Sequence, residues 1–152
     1  MKPVRMASVA IAAGVALVFG SPASADEKTA SAAQATITVD GETYQFSGGC
    51  WIDGDPPRTL EAQGPGEGPG GKPVHFVMLA MTSGFGSYTI YAGNAAEAGI
   101  DDRIASGGLP PDKLELTPTS LRASAAATTF AGMKRLKKSV PAVIEITGCG
   151  NG

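Results

Sequence analysis

The sequence predicts a mainly β fold: a small single-domain antiparallel β-sheet or sandwich with one short helix, tied by one disulfide. Three observations carry this expectation. The chain holds 21 glycines and 11 prolines and shows no long 3.6-residue periodicity, a pattern of short strands joined by turns. Asp40-Gly41 stands between the alternating stretches "TITV" and "ETYQF", the strongest short-range hairpin signal. Two cysteines, Cys50 and Cys149, lie far apart behind a segment that reads as an export signal, where a minimal even pair is most simply one disulfide.

The export segment comes first. Lys2 and Arg5 precede an apolar run from about Met6 to Phe19, and Ala23-Ser24-Ala25 follows. A basic start, a short hydrophobic stretch and an A-x-A site are the parts of a cleavable signal peptide, so residues 1–25 are expected to be removed. The run is shorter than the ~20 apolar residues that cross a bilayer, and no spanning segment is expected after cleavage. No cysteine follows the run, so lipidation through this segment is not expected. With 12 Lys and Arg against 14 Asp and Glu, loss of Lys2 and Arg5 leaves 10 against 14. A mildly acidic domain is a poor nucleic-acid binder, because that affinity comes mostly from cations on phosphates.

Residues 26–34 (DEKTASAAQ) are small and polar and predict a disordered lead-in. Residues 35–150 are then enough for a single core. In the hairpin at 36–46, the Asp40-Gly41 turn sets a register that pairs Ile37 with Tyr44 and Ala35 with Phe46, placing both apolar pairs on one face. The same parity turns Cys50 inward, and Gly48 and Gly49 admit another backbone at close range. Residues 53–73 lack periodicity and are dense in Gly and Pro, which predicts a mobile surface loop.

"VHFVMLAM" (74–81) predicts a central strand covered on both faces, and "SYTIYA" (87–92) its hairpin partner. Residues 94–108 form the one stretch suited to a short helix, started by Asn94 and broken by Gly99. The following loop carries a short extended piece at Lys113–Leu116. Residues 121–132 combine alanines with Thr128, Thr129 and an alternating pattern, which favours strand. "PAVIEITGCG" (141–150) reads as the return strand. Ile144 and Ile146 share a face that Cys149 would miss in a regular strand, so a bulge or bend at Thr147-Gly148 is expected to turn Cys149 inward. Closing a loop of ~100 residues stabilises by up to ~4–5 kcal/mol in the chain-entropy model.

Signatures of catalysis are scarce. Residues 66–72 superficially match a phosphate-binding loop, but Pro73 stands where the Ser or Thr for magnesium belongs. His75 is the sole histidine; no G-x-S-x-G elbow accompanies it, and it reads as an ordinary strand-end residue. Asp53 with Asp55, and Asp101 with Asp102, lack the twelve-residue calcium-loop pattern and read as solvated loop acids. Two thiols and one histidine fall short of a zinc site and lack C-x-x-C spacing. No cofactor and no metal are expected. Trp51 is expected to cover the disulfide. The one charge cluster is "GMKRLKKSVP", where Lys134, Arg135, Lys137 and Lys138 surround Leu136. It serves either as a solvated hairpin connection that keeps strand edges apart or as an electropositive tip for anionic lipid head groups or acidic polysaccharide.

The blocks "ATITVDGETYQFSGGC" and "LRASAAATTFAGMKRLKKSVPAVIEITGC" together resemble the mycobacterial 19-kDa lipoprotein antigen (LpqH) family, in which a V-x-I-D-G-x-type hairpin leads to a first cysteine and an E-I-T-C-like final strand supplies the second. The resemblance covers both ends of the domain, and the family's cysteines correspond to Cys50 and Cys149. It implies a small β-rich domain of the cell envelope, immunogenic and without established enzymatic activity. Family members carry a lipobox cysteine, which this chain replaces with the A-S-A site. The resulting expectation is a secreted or envelope-associated domain without catalytic activity, a surface antigen or binding module whose partner is an envelope lipid, a polysaccharide or a host protein. The alternative is an envelope carrier holding an apolar ligand between the sheet and residues 94–116, near Met78, Leu79 and Met81.

Overall fold

A computed structural model describes residues 31–94 and 102–151. Strands β1 (Ser31–Val39), β2 (Glu42–Asp53), β3 (Thr59–Glu67), β4 (Pro73–Met81), β5 (Gly86–Ala92), β6 (Arg103–Leu109), β7 (Leu114–Leu116), β8 (Ser120–Ala131), β9 (Lys134–Thr147) and β10 (Gly150–Asn151) make up nearly all of it. The sheet runs β1-β9-β8-β6-β5-β4-β3-β2, and β1 also pairs with β2, so eight antiparallel strands close on themselves. The expected open sheet or sandwich is therefore a closed up-and-down barrel, which removes sheet edges altogether. β7 lies against the first half of β8, and β10 pairs in parallel with β2.

Alternation explains the closure. Along β1, Ala33, Ala35, Ile37 and Val39 are buried, and along β9 so are Val140, Ala142, Ile144 and Ile146. The apolar set thus faces inward on both flanks of the seam. The β1–β2 register pairs Ile37 with Tyr44 and Ala35 with Phe46, as the Asp-Gly turn dictates; Asp40 and Gly41 both take positive φ, 50° and 85°. Small residues such as Ala62, Ala80, Ala105 and Ala123 share the interior with Tyr44, Phe46, Phe76, Met78 and Tyr88. The Phe46 and Phe76 rings meet at 4.5 Å between centroids. Side chains fill an eight-stranded barrel of this kind. The small void beside Ala33, Phe46, Cys50, Ala62 and Phe76 leaves no volume for a water-sized molecule.

Several expectations need correction. Residues 53–73 are not a mobile loop: 59–67 form β3, fully paired with β4, and only 54–58 and 68–72 connect strands. The lead-in 26–34 gives way to strand at Ser31; residues 26–30, like the signal segment 1–25, lie outside the described residues. β4 is not covered on both faces, since Val77 and Leu79 are exposed on its outer side. Of the expected helix at 94–108, residues 95–101 lie outside the described residues, and Arg103–Leu109 is strand. The helical turns among the described residues are single 3-10 turns at Pro69–Gly71 and Pro111–Lys113. Residues 121–131 are strand as expected, within β8, and Gly132 belongs to the turn that follows.

The disulfide joins Cys50 to Cys149, with Cα atoms 4.8 Å apart across 99 residues of sequence. β9 stops at Thr147, Gly148 takes φ +79°, and the bend brings Cys149 inward, where its N–H donates to Thr119 O at 3.0 Å. The chain then passes over the start of β1 and takes the place beside Trp51 and Ile52 on β2. Trp51 does not lie inside over the bridge. It sits half-buried on the outer side of β2, beside Glu61, Gln63 and Val77.

Candidate binding site at the barrel rim

An up-and-down barrel sorts its turns between two ends. The β1–β2, β3–β4, β5–β6 and β8–β9 turns share one end, and the disulfide lies toward the other. At the first end one hairpin runs past the ladders that join it to the barrel. β9 pairs with β1 only from Ala142 to Thr147, and β8 pairs with β6 only at Thr128 and Thr129. Beyond these ladders β8 and β9 continue as a two-stranded arm held by Thr129↔Lys137, Phe130↔Arg135 and Ala131↔Lys134.

The arm's shape follows from its sequence. Pro141 lacks an N–H, although its carbonyl still accepts from Asp40 N at 2.9 Å, and Ser139 takes φ 55°. Here β9 leaves β1. Two register shifts interrupt the β8–β9 ladder on the way to the tip. Each adds a residue on the β9 side, and bulges of this sort re-aim side chains and spoil a strand as a template for further pairing. Lys134, Arg135, Leu136, Lys137 and Lys138 are all exposed, and Met133 and Leu136 are 73% and 56% exposed.

The arm leans over the barrel mouth, where a cleft of about 330 Å³ lies between it and the β1–β2 turn. Val39, Tyr44 and Ile104 form its apolar floor, and Thr129, Phe130 and Leu136 line the arm side. Lys137 Nζ bonds Asp40 Oδ2 across the gap, which favours the charged ammonium and moves the Lys137 pKa upward. The Tyr44 hydroxyl donates to Glu42 Oε2 at 3.4 Å. Burial first, and the Glu42 carboxylate second, push its pKa up to about 12. The Arg103 guanidinium stacks over the Phe130 ring, 4.2 Å from its centroid, a cation–π contact that steadies the base of the arm.

The four cations expected to act together are therefore not equivalent. Lys137 is tied to Asp40, while Lys134, Arg135 and Lys138 project from the arm. The sequence pointed to this cluster but not to its setting: Asp40, Tyr44, Ile104 and Phe130 meet the arm only through barrel closure. Sequence reasoning missed Met133, although an apolar residue directly after Gly132 at a hairpin tip has no core to enter.

The other candidates separate. His75 lies on the flank of β4, opposite Pro65 and Tyr91, only 6% exposed, and among the described residues neither ring nitrogen has a hydrogen-bond partner. Among the described residues no serine or acid side chain bonds to it. Burial lowers its pKa. Asp53 ends β2 and Asp55 lies in the following turn, while Asp101 is outside the described residues. Among the described residues no three His, Cys, Asp or Glu side chains gather as a metal site. Gly66 and Lys72, the ends of the loop motif, belong to β3 and to the turn closed by Gly68 N–H on Lys72 O at 2.8 Å. Met78 faces the packed interior and Leu79 faces out, so these two do not line a common cavity. No protein-family model matches the chain, and no curated protein matches it.

Proposed function

We propose that the chain is an exported, disulfide-closed binding module of the cell envelope, of the lipoprotein-antigen type but without acylation, and that the β8–β9 arm is its working surface. The carrying observation is the placement of charge. Four of the chain's 12 Lys and Arg fall within residues 134–138 of a formally acidic chain, on an arm that extends past the β1–β9 ladder. A field this uneven orients the molecule toward an anionic surface. The reading is non-catalytic: at the mouth Lys137 pairs with Asp40 and Tyr44 with Glu42, and among the described residues His75 has no hydrogen-bond partner.

The carrier alternative draws less support. Among the described residues the barrel interior is filled, and the mouth cleft has Asp40, Glu42 and Lys137 in its lining. That polarity suits a rim contact better than an acyl chain.

Retention on isolated cell envelopes tests the proposal. The unmodified exported chain is expected to bind at low salt and to be released as salt rises, since exposed charges are screened within about 10 Å at 0.1 M. Lys134→Gln/Arg135→Gln/Lys138→Gln is expected to remain in the supernatant. Equal retention of the two proteins would overturn the assignment of the arm.

A further inference from the structure

We infer that the tip of the β8–β9 arm docks on an anionic lipid bilayer, setting Met133 and Leu136 among the head groups while Lys134, Arg135 and Lys138 engage lipid phosphates. The inference rests on the arm being the working surface and names its partner.

Two observations select a bilayer over other acidic surfaces. The first is the pair of apolar side chains. Met133 is 73% and Leu136 56% exposed on a fully formed hairpin, where a turn needed only for solubility would be polar. Leu136 is the extra residue of a register shift, so the irregularity itself presents it. An acidic polysaccharide would use the cations and leave both side chains in water. The head-group boundary accepts both kinds of group at once, as it does for amphipathic interfacial segments. The second is the composition of the arm: no Asp or Glu occurs between Arg122 and Glu145, and the acids that act on it from the β1–β2 turn among the described residues, Asp40 and Glu42, both act on Lys137. The Asp40–Lys137 ion pair links the arm to the β1–β2 turn, and three cations, Lys134, Arg135 and Lys138, remain beside the two apolar side chains.

The barrel limits the depth of insertion. Its apolar side faces inward, and its wall carries polar pairs such as Arg122 with Glu145 and Gln34 with Ser47, the reverse of a bilayer-spanning barrel. Only the tip can enter. Phe85, 77% exposed, lies in the β4–β5 turn at the opposite end and cannot share the same plane. With two apolar anchors the attachment is weak, reversible and sensitive to salt.

The test is co-sedimentation of the exported, unreduced chain with phosphatidylglycerol–phosphatidylcholine vesicles and with pure phosphatidylcholine vesicles, alongside capture on immobilised alginate. The expected result is partitioning onto the anionic vesicles alone. Met133→Ser/Leu136→Ser, both at exposed positions, should weaken it at least ~10-fold. The triple Gln variant at Lys134, Arg135 and Lys138 should weaken it by roughly 100-fold, and Phe85→Ser should leave it unchanged. Failure to partition, or undiminished partitioning of the Met133→Ser/Leu136→Ser variant, overturns the inference. Alginate capture without vesicle binding overturns the lipid partner while the arm keeps its role, whereas silence on both surfaces removes both readings.

Discussion

Cys50 and Cys149 fasten the last residues of the chain to the inner face of β2, and the cross-link spans 99 positions. Its removal by a paired Cys→Ala substitution is expected to cost about 2–5 kcal/mol, read as a lower denaturant midpoint with a steeper slope, because the unfolded chain expands without the cross-link; an unchanged midpoint would show that the barrel closes without it. His75 gives a second expectation. Burial lowers its folded-state pKa, so as pH falls the unfolded chain takes up the proton first, at about 6.5. The stabilisation is present above that pH and is lost as pH drops below it. Between about pH 7.5 and pH 5, the denaturation midpoint of the unmodified protein should fall further than that of His75→Leu. Parallel curves for the two proteins would contradict this origin. The two cysteines and His75 were visible in the sequence as singular features, but the burial of His75 on an outer flank was not, because outward parity on a strand ordinarily means exposure.

The β1–β2 hairpin and the β8–β9 pair were legible because local chemistry sets them: a type I′ turn fixes one register, and alternation around Ile144 and Ile146 fixes a face. β3 was hidden for a physical reason. In "TLEAQGPGE" the inward positions after Leu60 and Ala62 are Gly64 and Gly66, so the strand carries little hydrophobic alternation. Glycine is required there. A Cβ on Gly66 would lie 2.1 Å from Gln45 O and 2.5 Å from a ring carbon of Phe46, and one on Gly48 would meet Gln63 O at 2.3 Å. The aromatic side chains of neighbouring strands supply the bulk that β3 omits. β4 misled in the opposite way, because Val77 and Leu79 are apolar yet face out, where a single-strand pattern cannot distinguish burial from exposure. The arm has its own signature. Residues 134–139 of β9 lie beyond the ladder with β1, which ends at Ala142. Their amides should exchange with solvent faster than those of 142–147, which lie between two strands. Equal protection along β9 would mean that the arm is packed down rather than projecting.

At the scale of the whole molecule, the property least visible in the sequence is closure. Each strand's inward face can be read locally, but a sandwich and a barrel bury the same residues, and only the dual pairing of β1 with β2 and β9 separates them. Closure also gives the disulfide its place: the bend at Gly148 carries the chain across the barrel's end, so the bridge joins the two ends of the domain over one core. It gathers four turns at one rim, and from that rim the cationic arm rises on an otherwise acidic chain. The account requires that this domain form its bridge in an oxidising space beyond the cytoplasm. The intact mass of the protein from its own envelope and medium, measured without reduction, tests that requirement most directly. The predicted result is a chain beginning at Asp26 and two hydrogens lighter than its reduced form, with no acyl adduct. A chain retaining residues 1–25, or one carrying both thiols free, would contradict it.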